Sequence, residues 1–317
     1  MNNEFDFIHQ LFQSKTSVKH PLTQLGNGDD ASVHAIPAGF ELVVSTDTAI
    51  EGVHWPEDFP LDLAAGRAVN AALSDLAAMG AKASWVWLAI TGANKEALQA
   101  MSLGIVSACE KHQVELAGGD TTRSPAKHPI NSLSLTVGGL IPEGKSMCRN
   151  QAKIGDDVWL AGNLGLSAAG LKQWFAKQRN GTFVSHFSHI EPLLDIGSFL
   201  LAQDIQCCID ISDGLLQDAS HIAKASKLHI NFCWEALQKL PSFAKLSVDF
   251  NEDVVQALML TGGEDYALLF TAPADKREHL EQADLHLIGV CQQGAGVSIN
   301  QAGQAMPVKN QGFDHFA

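Results

Sequence analysis

Cys207-Cys208-Ile209-Asp210-Ile211-Ser212-Asp213-Gly214-Leu215 carries an apolar run through two carboxylates and a glycine into a helix-forming segment. Read as a strand, the run puts Asp210 and Ser212 on one face. Asp213 stands where the N-cap of a helix opening at Gly214 belongs. Asp210, inside a strand, has no such routine role. A strand that ends on acids and turns into a helix is the unit on which α/β proteins build their sites.

Five further stretches share this form: Gly28-Asp29-Asp30, Ser45-Thr46-Asp47, Ser74-Asp75, Gly118-Gly119-Asp120 and Gly262-Gly263-Glu264-Asp265. Around them, strands are expected at 40–45, 85–91, 133–138, 158–161, 207–211, 266–271 and 285–290. Helices are expected at 61–79, 96–112, 167–178, 192–202, 214–225 and 253–260. Residues 180–190 and 301–312 read as loops. The mixture implies an α/β or α+β protein. The turn-rich 141–145 divides it into an N-terminal domain, 1–141, and a C-terminal domain, 142–317.

Composition narrows the class. The 317 residues suffice for two cores, and 46% hydrophobic with 18% charged residues is ordinary for a globular enzyme. A net charge of -14 disfavours nucleic acid and anionic membranes as partners. Met1 to Asp6 lacks the basic and apolar regions of a signal peptide, and no apolar run approaches a membrane span. The six cysteines show neither C-x-x-C nor framework spacing, so reduced thiols in a cytoplasm are expected.

Each acidic motif has a bland reading beside the chemical one. Gly26-Asn27-Gly28-Asp29-Asp30 is an ordinary turn, or a loop that lets backbone approach phosphate while Asp30 ligates metal. Ser45-Thr46-Asp47 reads as a buried strand's end, with Asp47 favoured as a ligand over a helix cap because 51–56 continues poorly as helix. His54 by itself is a surface or packed histidine. Asp75 lies among alanines, either solvated or turned inward, where a charge needs a partner or a metal. Gly118-Gly119-Asp120 is a turn or a phosphate approach, and Arg149, after Lys145, is a candidate anion clamp. Gly262-Gly263-Glu264-Asp265 is a turn, or it presents Glu264 to a cationic or hydrogen-bond-donating group.

Together the motifs imply one chemistry. Two like charges 4 Å apart repel by about 4 kcal/mol at an effective dielectric near 20. Converging carboxylates therefore need divalent cations or raised pKa values. All-oxygen donors suit magnesium, which commonly arrives with substrate phosphates. No P-loop, protein-kinase set, G-x-S-x-G elbow or H-E-x-x-H helix is present.

In this order, with Leu73-Ser74-Asp75-Leu76-Ala77-Ala78-Met79-Gly80-Ala81 and the C-terminal Gly312-Phe313-Asp314-His315-Phe316, the motifs resemble the thiamine-monophosphate kinase family. Its superfamily includes aminoimidazole-ribonucleotide synthetase. The resemblance implies a homodimer paired through its N-terminal sheets and a C-terminal α/β sandwich that completes the active site. It also implies ATP-dependent phosphorylation of thiamine monophosphate to thiamine diphosphate. By position, Asp30, Ser45, Thr46, Asp47, Asp75, Asp120, Asp210 and Asp213 are implied to ligate several magnesium ions. Gly119, Asp120, Arg149 and Ser212 are implied to contact ATP, and His54, Glu264 and Phe313 the thiamine substrate. Asn150 stands where serine is expected, and Phe313 where tyrosine or tryptophan is common. A selenophosphate synthetase would carry an early reactive cysteine, but the first here is Cys109. A hydrogenase-maturation relative would end in cysteine, but this chain ends in Ala317. A catalytically silent sensor on the same scaffold is disfavoured by the intact acidic set.

Overall fold

Alanine, leucine and a first-turn Asp62 make Leu61–Met79 a helix of five turns (α1). Asn94 caps the next helix, Lys95–Lys111 (α2), by accepting the Ala97 N–H at 2.8 Å. The computed structural model describes residues 7–283 and 285–307. The described chain divides into two compact units. One takes its residues from Met1–Leu76 and Ala81–Gly144, the other from Ala77–Gly80 and Lys145–Ala317.

In the first unit, Thr23–Leu25 (β1) and Val33–His34 (β2) form a small antiparallel hairpin. Phe40–Ile50 (β3), Lys82–Gly92 (β4), Glu115–Arg123 (β5) and Ser132–Pro142 (β6) form a four-stranded sheet ordered β3-β6-β4-β5. Only the β4–β5 pair is parallel. Val86, Leu88, Ile90, Leu133, Leu135 and Val137 are buried on the face covered by α1 and α2. The opposite face carries hydroxyl rungs: Thr46–Thr136, Thr48–Ser134 and Thr91–Thr122, each at 3.0 Å.

The second unit is built on Asp157–Ala161 (β7), Cys207–Ile211 (β8), His229–Cys233 (β9), Ala267–Ala272 (β10), His286–Gln292 (β11), Gly296–Gln301 (β12) and Gln304–Ala305 (β13). Their order is β13-β12-β9-β11-β7-β10-β8. β7, β8 and β10 are buried throughout, which is why they read as continuous apolar runs. Two apolar cores form. One gathers Leu166, Ile222, Phe232, Trp234 and Met259; the other gathers Trp159, Leu200, Phe270 and Leu280. The helices that matter below are Leu166–Phe175 (α3), Thr182–Ser188 (α4), Leu194–Ala202 (α5), Leu215–Ser226 (α6) and Glu252–Thr261 (α7).

Three expectations are corrected. Residues 180–190, read as a loop, contain α4, whose Phe183, Val184 and Phe187 are buried at helical spacing. Ser45-Thr46-Asp47 lies inside β3 and not at a strand end, and Gly118-Gly119-Asp120 lies inside β5 and not in a turn. In both, the carboxylate interrupts an apolar pattern that the ladder nevertheless continues. Among the described residues, no helix is long and apolar enough to cross a membrane. Four cysteines are buried, and burial raises the thiols of Cys109 and Cys291 to about 12 and of Cys207 to about 11.

Candidate active site

Strand alternation sorts the acids of the first unit. Ser45 and Asp47 are half-buried on the helix-covered face, while Thr46 is exposed on the other. Ser45 Oγ donates to Asp75 Oδ2 of α1 at 2.5 Å. Thr46 is thus separated from that pair: its hydroxyl bonds Thr136 on the opposite face of the sheet. Asp120 pairs in register with Ala89, which pairs with Ser134, so it also lies on the hydroxyl-lined face, and it is exposed. Gly119 is required by the sheet itself, because a Cβ there would come within 2.1 Å of Leu88 O. Asp29 and Asp30 are exposed in the connection between β1 and β2, where Asp29 Oδ1 accepts the Asp30 N–H at 2.9 Å. His54 Nδ1 accepts the Ile50 N–H at 3.0 Å. An Nδ1 that accepts leaves Nε2 as the ring's N–H donor.

In the second unit, antiparallel pairing of Ala267 with Ile211 sets the end of β8 beside the start of β10. The loop before β10 then folds onto the loop after β8. Glu264 N–H donates to Ser212 O at 2.7 Å and Tyr266 N–H to Ile211 O at 2.8 Å. Gly263 makes this approach feasible, since a Cβ there would meet Ser212 O at 2.3 Å. Glu264 adopts φ +70, and Tyr266 Oη donates to its Oε2 at 3.4 Å. Left-handed backbone at a non-glycine residue is strained, so the surrounding contacts hold Glu264 where it is.

Asp210 is buried and Asp213 half-buried at this strand end. Asp213 does not cap α6. Asp218, in the first turn, reaches back to accept the Asp213 and Gly214 N–H groups, both at 3.1 Å. Asp213 Oδ2 instead accepts from Gln217 Nε2 at 3.1 Å. Burial, then the charges of Asp213 and Asp210, push Asp218 up to about 7.

Every donor in both sets is oxygen, and in the second unit burial together with the neighbouring acids raises the Asp218 carboxyl. Those features fit a hard divalent cation. Among the described residues, no three His, Cys, Asp or Glu side chains gather closely enough to enclose a metal by themselves. Partial shells completed by phosphate and water are the arrangement magnesium favours.

The family model of AIR synthase related protein, N-terminal domain, matches residues 28–141. A thiamine-monophosphate kinase of Salmonella typhimurium is 36% identical over 335 residues, covering 99% of this chain and 98% of that protein. The chain belongs to the thiamine-monophosphate kinase family. Among solved structures, the crystal structure of thiamine-monophosphate kinase from Stenotrophomonas maltophilia K279a superposes with a TM-score of 0.81. It is 31% identical and covers 96% of this chain and 98% of its own. AaThiL complexed with AMPPCP and TMP superposes with a TM-score of 0.78 at 25% identity, covering 98% of this chain and 96% of its own.

Two residues of this thiamine-monophosphate kinase family member escaped the sequence reading. Asp218 sat unremarked inside a helix, although an acid in the first turn after a glycine is a helix-start signal. Asp265, quoted in its motif without a role, accepts the Gly165 N–H at 2.5 Å and the Ser167 N–H at 3.1 Å, and so caps α3. Arg149 is exposed, and its carbonyl accepts Ser226 Oγ at 2.8 Å and Cys207 Sγ at 3.8 Å. Its backbone therefore sits at the start of β8, about 16 Å of strand away from Ser212. The backbones of the two expected ATP contacts thus stand at opposite ends of β8. Phe313 lies outside the described residues.

Proposed function

We propose that this chain transfers the γ-phosphoryl group of ATP to the phosphate of thiamine monophosphate, giving thiamine diphosphate and ADP. The observation that carries the reading is the end-to-end similarity to thiamine-monophosphate kinases, among them a solved structure holding AMPPCP, an ATP analogue, together with TMP. In the reaction, an oxygen of the substrate phosphate forms a bond to the γ-phosphorus as the bond to the β,γ-bridging oxygen breaks. ADP leaves with that electron pair. A phosphate nucleophile is already ionised at neutral pH, so the protein needs no strong general base. Its work is positioning and charge neutralisation.

In the first unit, Asp30, Ser45, Asp47 and Asp75, with Thr46 and Asp120 on the opposite face of the sheet, would hold magnesium; in the second, Asp210 and Asp213 would do so. Bound magnesium would neutralise phosphate charge and template an in-line approach. Ser45 orients Asp75 through their short hydrogen bond. Gly119, Arg149 and Ser212 contact ATP. His54 offers its Nε2 proton, Glu264 receives a cationic or donating part of thiamine, and Phe313 stacks on an aromatic ring. The outward face of β3, with Phe40, Leu42 and Val44 exposed by 45%, 46% and 53%, supports pairing of two copies through this sheet.

Direct transfer is tested with ATP made chiral at the γ-phosphorus. Inversion at phosphorus is expected, and retention would mean a covalent enzyme intermediate.

A further inference from the structure

The β1–β2 hairpin carries Asp29 and Asp30 in its connection and stands apart from the four-stranded sheet. A two-stranded hairpin is marginal in water on its own, so its place must be set by something else. The base of the hairpin is gripped by two indoles of β4. Trp85 Nε1 donates to Thr23 Oγ1 at 2.9 Å, and Trp87 Nε1 donates to Ser32 Oγ at 2.8 Å. Between these contacts lies His34, with Nδ1 3.1 Å from Thr23 Oγ1 and Nε2 2.8 Å from Ser32 Oγ. Its ring packs on Trp85 and Trp87, with centroids 4.6 and 5.4 Å away. Thr23 Oγ1 also donates to Glu115 Oε2 at 2.6 Å, and the buried Glu115 faces Lys19 Nζ at 3.6 Å.

Counting protons gives this cluster a direction. Thr23 has one hydroxyl proton and gives it to Glu115, so His34 Nδ1 must donate to Thr23. In the neutral ring Nε2 is then an acceptor and takes the Ser32 proton, while Ser32 oxygen accepts from Trp87. The chain runs Trp87, Ser32, His34, Thr23, Glu115 Oε2, and each of these links is made; the other Glu115 oxygen has only the Lys19 ammonium at 3.6 Å. Burial lowers the His34 pKa against the pull of Glu115, in keeping with a neutral ring. A network satisfied in this way resists displacement of any single member.

We propose that Trp87 and Ser32, together with Trp85 and Thr23, are positioning residues that hold the Asp29–Asp30 connection where Asp30 can take up magnesium. The proposal rests on the reading of Asp30 as a magnesium ligand. These four residues act through the backbone of the hairpin: Ser32 is two residues from Asp30, and its hydroxyl is fixed to the sheet from outside the hairpin.

The test uses the full chain and the variants Ser32→Ala, Trp87→Phe, their combination, and Asp30→Asn as a reference. Activity is titrated with magnesium at saturating ATP and thiamine monophosphate, and amide hydrogen exchange is followed in the metal-free protein. Expected is a five- to tenfold higher half-saturating magnesium concentration in each single variant, with kcat at saturating magnesium within twofold of the parent. The double variant should be no worse than either single one, and amides 27–31 should exchange faster in all three. Unchanged magnesium requirements in Ser32→Ala and Trp87→Phe, beside a shifted one in Asp30→Asn, would overturn the positioning role and leave the Asp30 assignment standing. An unshifted Asp30→Asn would remove that assignment, and the proposal with it.

Discussion

Ser45 on β3 and Asp75 on α1 are joined by a 2.5 Å hydrogen bond between a strand and the helix that covers it. The bond explains how a carboxylate in an alanine-rich helix is kept half-buried and oriented. A hydrogen bond to a charged group contributes about 1.5–3 kcal/mol. Ser45→Ala should therefore lower kcat/KM by roughly tenfold to hundredfold, with Asp75→Asn lower still. Circular dichroism melts should show both variants folded, with midpoints lowered by no more than about ten degrees. Full turnover in Asp75→Asn would contradict the assignment.

Neighbouring acids in Gly262-Gly263-Glu264-Asp265 have different jobs. Asp265 caps α3, so Asp265→Ala should cost about 0.5–2 kcal/mol of stability, in the range of other lost caps. Glu264→Gln should leave denaturation unchanged and raise KM for thiamine monophosphate by roughly tenfold or more, as expected for loss of a charged hydrogen-bond partner. Denaturant melts beside substrate titrations separate the two. A swap of these phenotypes would mean the residues have been misassigned.

Alternation along β3 makes a third contrast. Thr46→Val removes a neutral oxygen, and with it the rung to Thr136 on the outer face, and should leave the magnesium requirement within about twofold. Asp47→Asn should raise that requirement sharply. Equal magnesium dependence in the two variants would show that the strand does not divide the set.

Burial lowers the pKa of His20, His34 and His186 below the ordinary 6.5. The unfolded chain then binds protons near 6.5 that the folded chain refuses, so this stability is complete above pH 6.5 and is lost as pH falls below it. Asp218, raised to about 7, acts in the opposite sense. The informative quantity is thus a difference. His186→Gln should lose less thermal stability between pH 7.5 and 5.5 than the parent does, and an equal loss in both would rule out a contribution from His186.

The long, strongly periodic elements were legible in the sequence: α1 appears with its expected bounds, and the buried strands β7, β8 and β10 within a residue or so. β9 and β12 were not, because His229–Cys233 and Gly296–Gln301 alternate polar with apolar residues over only five or six positions. Their pairing with each other supplies what such short patterns lack. Within the site, the acids could be located but not sorted. Sequence spacing cannot say that Thr46 turns away from Asp47, that Asp218 rather than Asp213 holds the start of α6, or that Asp265 belongs to a helix a hundred residues earlier. Those facts depend on register and on backbone N–H groups supplied by distant segments. The indole clamp on the hairpin was equally hidden, since Trp85 and Trp87 read as ordinary strand residues.

The central claim is the reaction itself. Purified protein incubated with ATP, magnesium and thiamine monophosphate should form thiamine diphosphate and ADP in equal amounts, resolved by chromatography and phosphorus NMR, with no product when magnesium is chelated. ATP consumption without thiamine diphosphate, or no reaction at all under these conditions, would contradict it.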